Sequence, residues 1–417
     1  MSDSAPTVTI LGLQSPFELG SAALKIVANA GLLAGPERWL KYFPDFSGYK
    51  LPLRGPLGPW LDELKVLSAK SPAVVLAGGD PNYFGLAALI VERFGPDTVE
   101  IIPSPTTIQK AFARLKISWA NVEVVSLHGR QSWRSFWSAL YRASRQGARG
   151  YLALYTSPEN GPNLVAKALI EREQLDWNLS IFENLGLDDE NIWRGPLVQA
   201  QNYSFANLNL AILEQSTPFE PLSLGAFEHR YHHSAGLITK SEVRSVALGL
   251  LELTGEQTMW DLGCGSASVA LEAAGLLDRG EVWGVEKNPE RYKQALLNRR
   301  RFGAAHLGLS LGEAPQILDT LPDPDRVFIG GGGERLKEII TRSFQRLRVG
   351  GVLVCSAVLF SSLEAALSAL SSLGARSSVT QVQISKSSPL GASQRLEPLD
   401  QVWLIKAKKD GPHNQGE

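Results

Sequence analysis

Short apolar runs alternate with amphipathic stretches along the first half of the chain. The runs that are typical of strands are VTILGL, AVVLAGG, TVEIIP, VEVVSL, GYLALY, LSIFEN and LNLAILE. Because helix-like segments separate them, the pattern predicts an α/β fold. The periodicity is lost over residues 214–225, EQSTPFEPLSLG, which contain two prolines. We therefore predict a linker at 214–225 between a first domain of residues 1–213 and a second of residues 226–409.

The second half repeats the alternation with seven candidate strands. They are TMWDLG, EVWGVE, HLGLSL, DRVFIG, GVLVCSAV, SVTQVQI and QVWLIKA. The last two lie too close together for a helix between them, so we expect one of them to run antiparallel at an edge. From about Thr239 onward the pattern predicts a doubly wound α/β sheet, followed by a disordered tail at 410–417.

A glycine-containing loop follows the first of these strands and opens an amphipathic helix. It reads Asp261-Leu262-Gly263-Cys264-Gly265-Ser266-Ala267, and its glycines allow the backbone to approach a ligand closely. Glu286 ends the next strand, 25 positions after Asp261, where a carboxylate can accept both hydroxyls of a ribose. Dinucleotide enzymes share this arrangement, but Asp261 would repel a pyrophosphate and attract a sulfonium or amino group. The pattern favours an S-adenosylmethionine site; the alternative is a turn and an acid that merely close a βαβ unit.

Two further loops lie at ends of the predicted strands. Gly312-Glu313-Ala314-Pro315 follows the third strand, where such domains usually contact adenine, which makes Ala314 a candidate contact. Four glycines at 330–333 follow the fourth strand, where backbone amides of Gly331 and Gly332 could meet a bulky or anionic substrate. A flexible turn would explain the same glycines. Upstream, Thr239 begins the sequence TKSE, which predicts a capping box at the start of a helix.

Three of the six histidines, His229, His232 and His233, fall within five residues beside Arg230. No acidic or cysteine partner shares their spacing, so we predict no metal site. A cationic or hydrogen-bonding patch for a carboxylate-rich substrate and ordinary loop histidines are both open interpretations. The arginine run at 299–301 is typical of a solvated helix face.

Composition and charge exclude several classes of protein. The 41 basic and 42 acidic residues give a net charge of -1, without the basic excess that binding a nucleic-acid backbone requires. Cys264 and Cys355 are the only cysteines, so neither a disulfide framework nor a zinc motif is expected. The N-terminus lacks a basic export signal, and the longest apolar run, near 349–360, is too short to cross a bilayer. We expect a cytoplasmic homo-oligomer without a membrane or nucleic-acid partner.

Three motifs in the first half resemble the tetrapyrrole methylase family. They are GGDPNYFG at 78–85, PSPTT at 103–107 and SLHGR at 126–130. The resemblance implies a two-lobed α/β fold that binds S-adenosylmethionine between its lobes. Position by position, it implies cofactor contacts at Gly78, Gly79, Asp80, Tyr83, Thr106 and Thr107. The N-terminal loop departs from the family's G-x-G-x-x-G, because it reads Gly12-Leu13-Gln14-Ser15-Pro16-Phe17 with one glycine.

The order of the two halves is similar to that of the decarboxylating precorrin methyltransferases of the cobalamin pathway. The matching stretches of the second half include AFEHRYHHSAGLITKSEVRSVAL, MWDLGCGSASVALEAA and DRVFIGGGGERL. Here the resemblance implies cofactor contacts at Thr239, Gly263, Cys264, Gly265, Ser266, Ala267, Glu286 and Ala314. Ala267 stands where a third glycine is usual.

The resemblance also implies an activity. The first domain would methylate C5 of a precorrin-6 type tetrapyrrole, and the second would methylate C15 and remove carbon dioxide from the ring C acetate. His229, Arg230 or His233 could assist the decarboxylation by protonating or hydrogen-bonding the ring system. Two alternatives stay open: a fused methyltransferase that acts on another small molecule, and a C15-methyltransferase whose first domain is a non-catalytic docking module. The neutral charge disfavours an RNA methyltransferase.

Overall fold

The computed structural model describes residues 7–13, 15, 19–128, 132–147, 149–234 and 236–411. The chain divides into two units by its internal contacts. Unit 1 comprises residues 1–122, 153–164 and 179–212, and unit 2 comprises residues 123–152, 165–178 and 213–417. Gln14, Pro16 and Phe17 of the N-terminal loop, Gly129 and Arg130 of the SLHGR motif, and residues 412–417 of the predicted tail lie outside the described residues.

The first sheet consists of five strands. They are β1 (Val8–Leu13), β2 (Leu32–Gly35), β3 (Tyr49–Pro52), β4 (Ala73–Gly78) and β5 (Val99–Ile102). All run parallel, in the order β3-β2-β4-β1-β5. Helices α1 (Ser21–Ala28), α2 (Glu37–Leu40), α3 (Leu57–Ser68), α4 (Ala87–Phe94) and α5 (Thr107–Leu115) alternate with the strands. Every residue of β1 is buried, as expected of a parallel strand with helices on both faces.

A second sheet has the strands β6 (Glu123–Ser126), β7 (Tyr151–Tyr155), β8 (Trp177–Glu183), β9 (Asn191–Pro196) and β10 (Asn209–Gln215). Their order is β6-β7-β10-β8-β9. The helices of this region are α6 (Arg134–Ser144), α7 (Pro162–Glu171) and α8 (Leu197–Ala200).

Helix α6 is joined to the rest of unit 2 by buried polar and aromatic contacts. The Ser138 hydroxyl donates to the Gly280 carbonyl at 2.9 Å, and Arg142 donates to the Asp278 carbonyl at 3.1 Å. The Tyr141 ring lies 4.2 Å from the ring of His306, and both side chains are buried. A helix that precedes the predicted linker is therefore packed within the unit that carries the C-terminal sheet.

The C-terminal sheet has seven strands, as predicted. They are β11 (Thr258–Leu262), β12 (Glu281–Glu286), β13 (Leu307–Leu311), β14 (Arg326–Ile329), β15 (Val352–Ala357), β16 (Ser377–Val382) and β19 (Val402–Lys408), with β17 (Ser385–Leu390) and β18 (Ser393–Pro398) forming a separate hairpin. The helices are α9 (Ser241–Leu250), α10 (Ser268–Leu276), α11 (Pro289–Arg301), α12 (Leu336–Arg346) and α13 (Phe360–Ser372). One apolar core includes residues of α9, α10 and α11, and another includes residues of α12 and α13. The doubly wound α/β class is confirmed.

The antiparallel strand lies one place inside the edge where we expected it. The sheet order is β13-β12-β11-β14-β15-β19-β16, and β19 runs antiparallel to both of its neighbours. Strand β19 is mostly buried whereas β16 is mostly exposed, so the more apolar strand occupies the interior position. The hairpin between them allows the chain to return and insert β19. No helix among the described residues is long and apolar enough to cross a membrane.

The predicted capping box at Thr239 is wrong. Helix α9 begins at Ser241 and has no side-chain cap from its own first turn. Instead, the Ser241 amide donates to Glu228 Oε1 at 2.7 Å. A carboxylate thirteen residues upstream replaces the local acceptor that the sequence pattern predicted.

Candidate functional site

Two glycine loops meet at the C-terminal edge of the seven-stranded sheet. The amides of Gly263 and Cys264 donate to the Val285 carbonyl at 2.9 and 3.0 Å, and the Gly330 amide donates to the Leu262 carbonyl at 2.9 Å. Strand β11 lies between β12 and β14. The strand order therefore changes direction at β11, because the strands that follow it are added first on one side and then on the other. This is the topological switch point at which doubly wound sheets bind ligands.

The backbone of the first loop requires unusual conformations. Gly263 and Gly265 have φ angles of 74° and 55°, and Ala267 has a φ of 63°. A Cβ built on Gly263 would lie 3.4 Å from both backbone N and O of Gly331. By contrast, a Cβ on Gly265 or on Gly331 would meet no atom within 4 Å. The two loops thus touch at Gly263 and leave open space over Gly265 and Gly331.

Asp261 presents an unsatisfied carboxylate oxygen beneath these loops. Its side chain is buried, and its Oδ2 accepts from the Ala270 amide at 2.9 Å. Its Oδ1 is buried and has no hydrogen-bond partner among the described residues. Burial raises the pKa of Asp261 to about 7, with the Ala270 amide opposing the rise and the charge of Glu286 adding to it. Such a carboxyl is suited to a cationic ligand group that supplies the missing partner.

Glu286 closes the other side of the loop. Its Oε2 accepts from the Gly265 amide at 2.9 Å and its Oε1 from the Asn288 amide at 2.8 Å, although the side chain is buried. Each carboxylate oxygen keeps acceptor capacity, because it offers about two lone-pair sites. The Gly312 amide donates to the Glu286 carbonyl at 2.9 Å and brings the loop of Ala314 to the same edge.

Cys264 and Ser266 of the same loop make contacts with other parts of the protein. Burial raises the pKa of the Cys264 thiol well above its ordinary value, and a Cβ on Gly284 would lie only 3.1 Å from its Sγ. The Ser266 carbonyl accepts from Asn298 Nδ2 at 2.9 Å. The same amide nitrogen donates to the His232 carbonyl, and Asn298 Oδ1 accepts from the His232 amide. Asn298 therefore holds His232 beside the loop of residues 263–267.

The three candidate residues for acid–base chemistry lie in different surroundings. His229 is exposed and stacks on Phe227 at 5.9 Å. His233 is half-buried, and its Nδ1 has no partner among the described residues. Arg230 is occupied, because it donates to the Pro221 carbonyl at 2.7 Å and lies 3.4 Å from Glu220. The structure leaves the two histidines more available than the arginine.

An exposed apolar step, residues 358–360, follows strand β15, which pairs with the strand that precedes the four-glycine loop. Strand β14 pairs with β15 so that Ile329 lies opposite Cys355, and the residues after both strands leave the sheet side by side. After β15 come Val358, Leu359 and Phe360, which are 52%, 65% and 74% exposed. Three consecutive exposed apolar side chains at a ligand-binding edge are typical of a contact surface for an apolar ligand face.

Two buried charges that bind residues 225–239 were not predicted from the sequence. Arg244 and Glu272 form an ion pair of 2.7 Å whose side chains are both fully buried. The signal was present: each is a charge within an otherwise apolar helix pattern, EVRSVALGLL and VALEAAGLL, and a charge at a core position requires a partner.

The interpretation of the arginine run at 299–301 as a solvated face is wrong for Arg299, whereas Arg300 is exposed and Arg301 is half-buried. Arg299 is buried and donates to the Arg172 carbonyl at 3.0 Å. Arg301 donates to Glu220 at 2.8 Å, and Arg300 lies 3.7 Å from Asp176. Tertiary partners override the helix-surface interpretation, because each guanidinium reaches a group from a distant part of unit 2.

Unit 1 brings its own predicted loops together. A Cβ on Gly12 would lie 2.4 Å from the Gly79 carbonyl and 2.9 Å from the Ser104 amide, so the one glycine kept in the N-terminal loop is required by close approach. The Gly79 amide donates to the Leu13 carbonyl at 2.8 Å, and Gly79 has a φ of 69°. Gly78 is exposed beside the Trp39 ring. Three strand ends of the first sheet therefore converge at these loops.

The remaining predicted residues of unit 1 divide between turn formation and an aromatic group. Asp80 accepts from the Asn82 amide at 2.9 Å, and Thr106 caps α5 through a reciprocal capping box. Thr107 hydrogen-bonds the hydroxyl of Tyr155, whose pKa burial raises. Tyr83 packs edge-to-face on Phe84, which lies 5.5 Å from the Tyr155 ring.

Comparison with known proteins assigns a family model to each half. Residues 11–201 match the model of the tetrapyrrole (corrin/porphyrin) methylases, and residues 229–409 match that of the precorrin methyltransferase domain.

Among curated relatives, a precorrin-6Y C(5,15)-methyltransferase [decarboxylating] of a Sinorhizobium species is 28% identical over 406 residues, which is 94% of each chain. A probable cobalt-precorrin-6B C(15)-methyltransferase (decarboxylating) of Pyrobaculum calidifontis is 38% identical over 172 residues, 41% of this chain and 88% of the relative. Among solved structures, a precorrin-6y C5,15-methyltransferase of Geobacter metallireducens is 39% identical and covers 45% of this chain and 98% of its own, with a TM-score of 0.43.

Proposed function

We propose a double methylation with decarboxylation for this chain, which belongs to the family of decarboxylating precorrin-6Y C5,15-methyltransferases. Its second domain, residues 226–409, would methylate C15 of a precorrin-6 type tetrapyrrole and release carbon dioxide from the ring C acetate. Its first domain, residues 1–213, would methylate C5. The reactions belong to corrin biosynthesis.

The observation that carries the proposal is the unsatisfied oxygen of Asp261 beneath two open glycine loops. S-adenosylmethionine fits this site, because it has both a cationic group for Asp261 and ribose hydroxyls for Glu286. When bound, it would supply an electrophilic methyl group on a sulfonium. The further residues of this chain proposed to hold it are Thr239, Gly263, Cys264, Gly265, Ser266, Ala267, Glu286 and Ala314.

The four-glycine loop and the apolar step are proposed to hold the tetrapyrrole. Gly331 and Gly332 belong to a loop of four glycines that carries no side chains, so a large ring can come close to the methyl donor. Val358, Leu359 and Phe360 would contact the apolar face of the ring. Holding both reactants in line contributes several kcal/mol to lowering the barrier of a methyl transfer.

His233 and His229 are proposed to assist the decarboxylation. The electrons of the broken carbon–carbon bond pass into the conjugated ring. A side chain that protonates the ring or donates a hydrogen bond to it stabilises the negative charge that develops there. His233 has an Nδ1 atom without a partner, and His229 is exposed on the same segment. Single replacements, His229→Ala and His233→Ala, test this step. If both variants decarboxylate at the wild-type rate, the histidines have no part in it.

The proposal for the first domain is supported by the convergence of Gly12, Gly79 and Ser104 at one sheet edge. Gly78, Asp80, Tyr83, Thr106 and Thr107 are the other residues proposed to hold a second S-adenosylmethionine. The capping box already uses the Thr106 amide, which donates to Gln109 Oε1 at 2.6 Å, so the Thr106 hydroxyl is the better candidate donor to a ligand.

The test is to incubate the full chain with S-adenosylmethionine and the precorrin and to follow the product mass. Gain of two methyl groups with loss of carbon dioxide is expected. At limiting S-adenosylmethionine, Asp261→Asn should slow the C15 methylation and leave the C5 methylation unchanged, whereas Asp80→Asn should slow only the C5 methylation. Asp319→Asn, an exposed carboxylate on the surface of unit 2, is the matched control and should behave as wild type.

The possible failures of this test are distinct. One methyl group with loss of carbon dioxide in the wild type would mean that the first domain is a docking module. An unchanged precorrin would refute the assignment as a whole.

A further inference from the structure

A buried ion pair lies under the segment that carries the candidate histidines. Arg244 of α9 and Glu272 of α10 approach within 2.7 Å, and neither side chain is exposed. Both carboxylate oxygens of Glu272 accept hydrogen bonds. Its other partners belong to one stretch, residues 225–239, which we call the histidine segment.

Glu272 binds the beginning and the middle of the histidine segment. Its Oε2 accepts from the Gly225 amide at 2.9 Å, and its Oε1 accepts from the Ala226 amide at 3.0 Å. The Tyr231 hydroxyl also donates to Oε1, at 2.8 Å. Charge-assisted bonds of this kind are shorter and stronger than neutral ones, so Gly225, Ala226 and Tyr231 are held firmly against α10.

Arg244 binds the two ends of the same segment. It donates to the Thr239 carbonyl at 2.5 Å and also to the Ala226 carbonyl. Its guanidinium lies over the Tyr231 ring, 5.0 Å from the ring centre. Together the two side chains fix the segment at 225–226, at 231 and at 239, and His229 and His233 lie between these fixed points.

Stability alone does not account for this arrangement. A buried ion pair can often be replaced by apolar side chains of similar volume at no cost in stability, because desolvation offsets the attraction between the charges. What apolar side chains cannot do is bind backbone amides and carbonyls of a loop. Five of the six hydrogen bonds of this pair go to the histidine segment, which distinguishes it from a core ion pair.

We infer that Arg244 and Glu272 are positioning residues. They hold the histidine segment beside the loop of residues 263–267 in the geometry that the C15 reaction requires. Asn298 completes the arrangement, because it joins His232 to the Ser266 carbonyl. The inference deepens the proposed function and rests on it for the identity of the reaction. The immobilisation of the segment can be measured without any substrate.

The experiment uses the full chain with the double variant Arg244→Met/Glu272→Met. It removes both charges and keeps the side-chain volumes similar, but it leaves the amides of Gly225 and Ala226 and the Tyr231 hydroxyl without their acceptor. The melting temperature should therefore fall, and the measurements are made on the folded variant below it. Amide hydrogen exchange at Gly225 and Ala226 should accelerate at least about tenfold, the equivalent of losing one net hydrogen bond. The kcat for C15 methylation should fall by at least about the same factor, while the C5 methylation is retained.

Leu248→Ala is the matched control, because Leu248 is buried on the same helix and makes no hydrogen bond to the segment. It should lower the melting temperature and leave the exchange at 225–226 and the kcat unchanged below that temperature. Tyr231→Phe removes a single bond to Glu272 and serves if the double variant does not fold. It should accelerate exchange locally and lower kcat without global unfolding.

Wild-type exchange and kcat in the folded double variant, or in Tyr231→Phe if the double variant does not fold, would overturn the inference. A lower kcat in Leu248→Ala would also overturn it, because kcat would then depend on the melting temperature and not on the ion pair. If wild-type enzyme did not methylate the precorrin, the proposed function would fail. The exchange comparison would then still decide whether the pair immobilises the segment.

Discussion

Replacing Asp261 by asparagine should make the protein more stable at neutral pH while weakening its hold on the methyl donor. The carboxyl is buried and its pKa is raised to about 7. Relative to an ordinary aspartate, this corresponds to about 4 kcal/mol against the ionised form. Asparagine keeps an oxygen for the Ala270 amide and cannot ionise. We therefore expect Asp261→Asn to gain about 1–4 kcal/mol in the free energy of unfolding at pH 8.

The sign of the pH dependence follows from the direction of the shift. The folded protein retains the Asp261 proton up to about pH 7, whereas the unfolded chain releases it near pH 4. Asp261 therefore stabilises the fold below about pH 4, and this contribution is lost as the pH rises through about 7. Melting curves between pH 4 and 8 should decline with pH more steeply in the wild type than in Asp261→Asn.

Ligand binding supplies the second measurement. A cationic group beside Asp261 favours the ionised carboxylate, so S-adenosylmethionine should bind about tenfold more weakly at pH 6 than at pH 8. Calorimetric titrations in an Asp80→Asn background isolate the C-terminal site. In the same background, Asp261→Asn should bind more weakly and without pH dependence.

Equal pH dependence of melting in the two proteins, together with a wild-type affinity that does not change with pH, would refute the reasoning. It would mean that Asp261 is ionised throughout and is satisfied in the free protein.

Three further outcomes are expected. Ala267 has a left-handed backbone and is buried, so Ala267→Val should cost at least about 2 kcal/mol in chemical unfolding, and Ala267→Gly should remain within about 1 kcal/mol of wild type. Burial lowers the pKa of His306 to about 4, so the stability that neutral His306 contributes is lost as the pH falls below about 6.5. The melting temperature of His306→Gln should therefore fall less steeply with acidification than that of the wild type, and equal slopes for the two proteins would contradict this. Phe360→Ser should raise the KM for the tetrapyrrole about tenfold with unchanged cofactor affinity. Val349, which is also exposed and precedes β15, is the control, and Val349→Ser should have no effect. Equal KM values for the two variants would exclude the apolar step.

The strands with clear apolar runs were predictable, and the exceptions have physical causes. Strand β2 lies between Gly31 and Pro36, which is typical of a loop, and β3 has one buried residue, Leu51, so neither gives an apolar run. The β17–β18 hairpin is almost wholly exposed, so it has no apolar face to detect. The position of β19 inside the sheet depends on its burial relative to β16, which only the assembled sheet reveals.

The candidate site was predictable where it depends on strand ends. Asp261, Gly263 and Glu286 follow from their positions after β11 and β12, because parallel strands bring their carboxyl ends to one edge. Arg244 and Glu272 could not be paired from sequence, since nothing local fixes which helices face each other. The capping box at Thr239 failed for the same reason, because Glu228 supplies the acceptor from outside the helix.

The contacts of α6 bear on how the two catalytic activities could be inherited. Ser138 and Tyr141 lie upstream of residues 214–225, yet their partners lie downstream. The Ser138 hydroxyl donates to the Gly280 carbonyl, and the Tyr141 ring packs on the ring of His306. A gene cut at that linker would yield a fragment with an uncovered tyrosine and a second with an unpartnered Gly280 carbonyl. The fused chain therefore has packing between α6 and the C-terminal sheet that two separate polypeptides would lack, with water replacing the hydrogen bond of Ser138 and reaching the Tyr141 ring.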